Sequence, residues 1–159
     1  MNTTFSHINQ KKQPSMVDVG EKKVTYRTAI AQSIIAMPAN VIEELQKNDF
    51  ESKKGAVFQT AIIAGIMAAK KTGELIPLCH PLGMHHCNID IALNKNKDIV
   101  IQSTAKIKAK TGVEMEALTG ASIAALTIYD MCKALSHDII IKETKLIEKT
   151  GGKNDFKRK

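Results

Sequence analysis

The chain has 159 residues, 43% of them hydrophobic, which suits one globular domain burying about two thirds of its unfolded surface and requires no second domain. Aromatic residues make up only 4% and Trp is absent, so Ile, Leu, Val, Ala and Met must build the core, and a base-stacking nucleic-acid platform is disfavoured. The net charge of +7 gathers at the ends, in Lys11, Lys12, Lys22 and Lys23 and in Lys153, Lys157, Arg158 and Lys159, either as solvated tails or as arms over an anionic ligand.

Residues 1–15 are polar, with Pro14 near their end, and read as a flexible segment before a single domain over 16–150; 151–159 read as a basic tail. Val24 to Ala36 alternates loosely and holds β-branched residues, which predicts a strand. Pro38, at a helix N1 position, opens a short helix to about Gln46, and a charged loop over 47–53 leads to a long helix from about Gly55 to Lys71, ended by Gly73. Val57, Ala61, Ala64 and Ala68 form one stripe of that helix, while Phe58, Ile62 and Ile66 lie on other sides. It is therefore expected to be buried on more than one face, with Gly65 permitting close approach.

Ile76 to Leu82, IPLCHPL, sets Cys79 and His80 between two prolines, so a stiff loop presents an imidazole. That ring is either a general acid or base or a structural group bonded to backbone. Met84 to Leu93 and Asp98 to Lys108 are expected strands, joined by NKNK into a hairpin.

Thr111 to Lys133, TGVEMEALTGASIAALTIYDMCK, reads as one helix running on to Leu135, about 35 Å long, opened by a capping box of Thr111 and Glu114. Leu118, Ala121, Ala125, Ile128, Cys132 and Leu135 form the stripe that should lie on a sheet. Asp130 projects almost opposite, among Glu116, Thr119, Ile123, Leu126 and Thr127, a face too apolar for plain solvent. Another element or another subunit must cover it, and the charged groups there are expected to be partly desolvated, with shifted pKa values. Taken alone, Asp130 and Lys133 at i, i+3 are more often a structural ion pair.

His137 to Ile147 is the last expected strand. The order strand, helices, strand, strand, helix, strand is the split βαβ pattern: an α+β, ferredoxin-like domain, with helices packed on one face of an antiparallel sheet. Helices with two apolar faces exceed what two layers can cover, which predicts a homo-oligomer.

Three cysteines, Cys79, Cys87 and Cys132, and the lack of an apolar signal segment indicate a reducing cytoplasm. The longest apolar run, Ala56 to Ala69, is too short for a membrane span. Cys79, His80, His85, His86, Cys87 and Cys132 offer metal ligands, but His86 points away from His85 and Cys87 in a strand, and neither CxxC nor HExxH is present; no metal is expected. Lys53-Lys54-Gly55 at a helix entrance suits a phosphate but lacks GxxxxGK[ST], and Gly151-Gly152-Lys153 reads as an anion clamp or a tail.

The segments MVDVGEKKVTYRTA, KKGAVFQTAIIAGIMAAKKT, LIPLCHPL, KTGVEMEALTGASIAALTIYDMCKAL and TGGK occur in this order, covering essentially Met16 to Gly152. They resemble the cyclic pyranopterin monophosphate synthase family, molybdenum cofactor biosynthesis protein C, the second enzyme of that route. The resemblance implies a lyase that turns 3′,8-cyclo-7,8-dihydroguanosine 5′-triphosphate into cyclic pyranopterin phosphate and diphosphate; no cofactor is expected. It also implies a ferredoxin-like catalytic domain in a homohexamer, a trimer of dimers with active sites at a dimer interface.

Position by position, the resemblance makes Asp130 the catalytic acid or base with Lys133 beside it, and Lys54 a further catalytic lysine. Leu78, Cys79 and His80 become one substrate-contacting segment, with His80 also in the proton chemistry, and Met115 with Glu116 another. Glu114, Arg27, Lys22, Lys149 and Lys153 match pocket positions. Where the family often has KGDV, this chain has Lys54-Gly55-Ala56-Val57, so a carboxylate beside the catalytic lysine is missing, and GMHHCNID is not the pattern expected after LCHPL. The competing readings are a non-catalytic nucleotide-binding module and, on charge alone, a nucleic-acid-binding oligomer.

Overall fold

β1 (Thr25–Ala36) is the spine of the sheet, burying Ala29, Ala31, Ser33 and Ile35 on one face by simple alternation. The computed structural model describes residue 8 and residues 11–159. After β1 come α1 (Ala39–Lys47), β2 (Glu51–Ser52), β3 (Gly55–Ala56), α2 (Val57–Lys70) and α3 (Thr72–Leu75). β4 (His86–Leu93), β5 (Ile99–Ala109), α4 (Glu114–Cys132), β6 (Ile140–Thr150) and β7 (Phe156–Lys157) complete the chain.

The main sheet runs β4-β5-β1-β6-β7, antiparallel throughout. β1 pairs with β5 from Thr25 opposite Ala109 to Ile35 opposite Ile99, and with β6 from Thr28 opposite Thr150 to Ala36 opposite Ile140. Among the four long strands the order is second, third, first, fourth, which is the ferredoxin-like split βαβ arrangement. α4 packs on β1, β5 and β6, with α2 beside it over β4, so both long helices share one face.

The core has two parts. Ile35, Val41, Ile42, Leu45, Ile99, Ile101 and Ile128 belong to one, around the C-terminal half of α4; Ala29, Ala31, Ala105, Val113, Ala117 and Ala121 belong to the other, around its start. Each fully buried Ile contributes about 1.5–3 kcal/mol. Small residues let the helices approach: a Cβ on Gly65 of α2 would stand 2.8 Å from the carbonyl oxygen of Gly120 in α4.

Several local expectations are corrected. Val113, not Thr111, caps α4, and no side-chain cap bond forms, because the Glu114 carboxylate turns to Lys149 of β6 at 3.1 Å. α4 ends at Cys132, where Leu135 N–H closes a turn on the Cys132 carbonyl, so Leu135 is exposed instead of ending the sheet-facing stripe. Pro38 is the cap of α1 and not its first residue. The loop over 47–53 includes β2, which pairs with β3, and Phe50 stacks on Phe58 with ring centroids 4.3 Å apart. Gly73 does not end α2; it lies in α3, packed against Pro81.

β6 runs three residues later than expected at both ends, because Asp138 N–H bonds Ser136 Oγ in a turn before it, and its polar end still pairs with β1. Beyond it the chain turns at Gly151 (φ 82°), and β7 returns along β6. Of the segment expected to be flexible, residues 1–7, 9 and 10 lie outside the described residues, while Ile8 and Pro14 form an isolated antiparallel bridge.

Candidate active site

At the C-terminal end of α4, three charged side chains converge. Lys54 occupies the turn of the β2–β3 hairpin, where Ser52 Oγ accepts its N–H at 3.1 Å and donates to the Gly55 carbonyl at 3.2 Å. Gly55 supplies the left-handed backbone (φ 104°) that this turn needs. Lys54 Nζ donates to Asp130 Oδ2 at 2.7 Å, and Lys133 Nζ binds Oδ1 at 2.7 Å. The side chains of Lys54, Asp130 and Lys133 are 51%, 52% and 50% exposed, so the desolvation expected for the charged groups of this face is absent at Asp130 and Lys133 in the single chain. Hydrogen bonds from Lys133 and then Lys54 hold the Asp130 carboxyl down at about 2, and the same contact with Asp130 raises Lys133. A neighbouring cavity of about 670 Å³ is lined by Lys53, Lys54, Leu45, Met131, Ala134 and Leu135, among others.

The other end of α4 meets the two-proline loop. Leu78, Cys79 and His80 are half-buried, and His80 Nε2 lies 2.8 Å from the Val17 carbonyl oxygen. Glu116 is only 3% exposed; burial pushes its carboxyl up, a backbone N–H opposes, and the charge of Glu114 adds to the rise. It lines a 260 Å³ cleft with Gly73, Pro81 and Leu82. Burial, then the nearby Glu116, raises the Cys79 thiol, so this cysteine is not an activated thiolate. Met115 points outward and is exposed.

A groove of about 440 Å³ opens where β1, the turn before α4 and the β6–β7 turn meet. Lys22, Lys23, Arg27, Lys110, Lys149 and Lys153 line it, with Glu114 as its carboxylate. Arg27 is aimed by two consecutive carbonyls, donating from Nε to Ala109 at 3.5 Å and from Nη2 to Lys110 at 3.4 Å. Thr25 Oγ1 donates to the Gly151 carbonyl at 2.7 Å, and Asp155 Oδ1 accepts the Gly151 N–H at 2.9 Å, which shapes the far rim. Such a concentration of cations suits a polyanion.

The sequence model of the MoaC family matches residues 16–152, a span that takes in both ends of α4 and nearly all of the groove. The chain belongs to the MoaC family. It is 51% identical over 152 residues to the cyclic pyranopterin monophosphate synthase of Xanthomonas axonopodis pv. citri (strain 306), covering 96% of this chain and 92% of that one. It is 52% identical over 155 residues to the molybdenum cofactor biosynthesis bifunctional protein of Synechocystis, covering 95% of this chain. It is 50% identical over 170 residues to molybdenum cofactor biosynthesis protein 1 of Dictyostelium discoideum, covering 96% of this chain. The chain spans only 45% and 27% of those two longer proteins.

Within this MoaC-family chain, the residues singled out from sequence fall into separate groups. Lys54, Asp130 and Lys133 come together; so do Lys22, Arg27, Glu114, Lys149 and Lys153, with Glu116 and the His80 loop at the same end of α4. At about 1.5 Å per residue, the helix separates Glu116 from Asp130 by roughly 21 Å. Among the described residues no hydrogen bond or ion pair joins the two groups. Lys23 and Lys110 also line the groove; the signal for Lys110 was its place at the head of the KTGVEMEAL block. Among the described residues, no group of three or more His, Cys, Asp or Glu side chains could hold a metal ion, and no helix is long and apolar enough to cross a membrane.

Proposed function

We propose that this chain is a cyclic pyranopterin monophosphate synthase, a cytoplasmic lyase of molybdenum cofactor biosynthesis whose catalytic domain is residues 16–150. It converts 3′,8-cyclo-7,8-dihydroguanosine 5′-triphosphate into cyclic pyranopterin phosphate and diphosphate. The observation that carries the reading is the groove of six cationic side chains at the start of α4, the same end of the helix at which the buried carboxyl of Glu116 lines a separate cleft beside the two-proline loop. The cations hold a triphosphate and neutralise the departing diphosphate, and the imidazole and the raised carboxyl carry protons. Leu78, Cys79 and Met115 shape the pocket around the base-derived ring, while Lys22, Arg27, Lys149 and Lys153 contact phosphate.

Opening the guanine portion, closing the pterin and forming the cyclic phosphate need several proton transfers, which groups held in one partly dry pocket accelerate. Asp130, held at about 2, is a weak proton acceptor while both lysines grip it. An anionic substrate competes for Lys54 and Lys133; as they shift toward it, Asp130 loses its counter-charges and gains proton affinity, so binding switches the base on.

The two groups are too far apart within one chain to act on the same atom, so the complete site forms between subunits of a homohexamer, a trimer of dimers. Ile63 and Met67 of α2 and Leu126 of α4 supply apolar surface for such contacts, all of it exposed in the single chain. The test supplies the cyclic triphosphate and follows cyclic pyranopterin phosphate and diphosphate; no turnover by the wild-type protein removes the assignment. Mixing Asp130→Asn with His80→Gln, each inactive alone, should restore turnover through hybrid sites, and a persistently dead mixture would place the whole site within one subunit.

A further inference from the structure

Residues 17–23 form a strap tied down at two points. At one end the Val17 carbonyl lies 2.8 Å from His80 Nε2; further along, the Gly20 carbonyl accepts Lys110 Nζ. Between and beyond these ties the strap turns on itself, with Asp18 Oδ1 accepting the Gly20 N–H at 2.8 Å and the Val19 carbonyl accepting the Lys22 N–H at 3.1 Å. It thereby delivers Lys22 and Lys23 to the basic groove. Lys110 also offers its own carbonyl to Arg27, so this residue touches both the strap and the guanidinium.

A carbonyl oxygen has lone pairs and no hydrogen to give. As the partner of Nε2 it selects the form with hydrogen on that nitrogen, in the neutral imidazole as in the cation. The proton that comes and goes is then the one on Nδ1. Pro77 and Pro81 stiffen the loop that carries the ring, so the imidazole cannot easily turn to offer Nε2 instead. No side chain supplies the Val17 oxygen, however; its place depends on the backbone of the strap, and Lys110 provides a long-range side-chain bond that fixes this backbone.

We propose that Lys110 is a positioning residue for His80: by clamping Gly20 it keeps the Val17 carbonyl on Nε2, and so makes Nδ1 the nitrogen that exchanges protons with substrate. This rests on His80 belonging to the proposed synthase site. The state of the ring can nevertheless be read without substrate, so a failure here is distinguishable from failure of the assigned activity.

The experiment is a long-range proton–nitrogen NMR spectrum of the histidine rings in the full chain at alkaline pH, with His80→Gln identifying the His80 signals. Wild type should show His80 as the Nε2–H tautomer. Lys110→Met should give a mixture of tautomers, and Lys110→Arg, which still donates to Gly20, should restore the single form. Turnover at saturating substrate should fall about 10- to 100-fold in Lys110→Met as the ring loses its alignment, and recover in Lys110→Arg. A lysine acting only by its charge in the groove would raise KM and leave the ring spectrum unchanged. An Nδ1–H tautomer in wild type, or an unaltered His80 spectrum in Lys110→Met, would overturn the proposal.

Discussion

Lys54 grips Asp130 twice, donating to the carboxylate at 2.7 Å and to the residue's own backbone carbonyl at 3.1 Å. That carbonyl lies in the last turn of α4, where the helix offers no N–H to accept. One ammonium group therefore satisfies an orphan carbonyl, sits at the negative pole of the helix and pairs with a carboxylate. The same contact pins the β2–β3 hairpin to the end of α4, and Lys133 occupies the remaining carboxylate oxygen.

Replacing Asp130 with Asn tests whether this cluster serves chemistry or the fold. All three side chains are about half exposed, so screening by solvent leaves the pairs with little stabilising effect. Turnover should fall about 10²- to 10⁴-fold while the thermal midpoint at neutral pH hardly moves. The folded carboxyl is lowered from 3.8 to about 2, so any stability it contributes is present above 3.8 and lost as pH falls through about 2. Melting curves of wild type and variant should converge at that acid limit. A large loss of midpoint at neutral pH, with turnover retained, would make the cluster structural.

Ala56 is the residue that departs from the KGDV pattern, and it caps α2. Its backbone (φ −66°, ψ 112°) is extended, as a cap requires, yet it has no side-chain acceptor for the free N–H groups of the first turn. Ala56→Asp should therefore stabilise the protein by about 1 kcal/mol, raising the thermal midpoint by about 2–4 °C. A lower midpoint would mean that the new carboxylate draws Lys54 away from Asp130 at a cost exceeding the gain from the cap.

How far the fold was legible depended on whether the deciding contacts were local. β1, β5 and the outline of α2 and α4 follow from alternation, small-residue spacing and prolines, all visible within a window of residues. Glu114 shows the limit: its spacing from Thr111 satisfies a capping box, but Lys149 arrives from β6 and takes the carboxylate. The β2–β3 hairpin has two-residue strands and is entered through positive φ at Asp49 and Phe50 just before β2, neither of which leaves a periodic trace. In the site, Asp130 and Lys133 were readable as neighbours in sequence, but the half-exposure of Asp130 was not, because it depends on which elements reach the end of α4, and only the β2–β3 hairpin brings Lys54 there. Lys23 and Lys110 belong to a lysine-rich background in which only tertiary placement distinguishes a groove from a solvated surface.

Gly65 and Gly120 should differ in their tolerance of a methyl group. A Cβ on Gly65 meets the Gly120 carbonyl oxygen at 2.8 Å, with Ala124 Cβ and Ile89 Cδ1 both at 3.2 Å, so backbone would have to move. Overpacking of this kind costs about 1–3 kcal/mol, more than the advantage of roughly 1 kcal/mol that Ala has over Gly in a helix. At Gly120 the nearest obstacle is Ser103 Oγ at 2.7 Å, a buried side-chain hydroxyl with no hydrogen-bond partner among the described residues to hold it in place, while the nearest backbone atom, the Gly65 carbonyl oxygen, stands at 3.3 Å. Urea unfolding should rank Gly65→Ala as less stable than Gly120→Ala, and the reverse order would show that the helices can slide apart.

Glu116 offers a prediction whose sign changes the usual expectation for a site residue. It is 3% exposed, and burial followed by the charge of Glu114 raises its carboxyl above the ordinary 4.5. An unfolded chain therefore releases this proton more readily than the folded one, so ionisation favours unfolding once pH exceeds 4.5, whereas below that value both states hold the proton and no penalty arises. Glu116→Gln, nearly the same shape without the charge, should raise the urea midpoint at pH 7 and lose that gain at pH 4, with the denaturant slope unchanged. Turnover should fall at the same time, because the amide cannot carry a proton, and the stabilised variant would then show that the protein retains a destabilising buried acid for its chemistry. An equal gain at both pH values would assign the effect to packing, and a lower midpoint at pH 7 would mean that the carboxylate is favourably solvated where it stands.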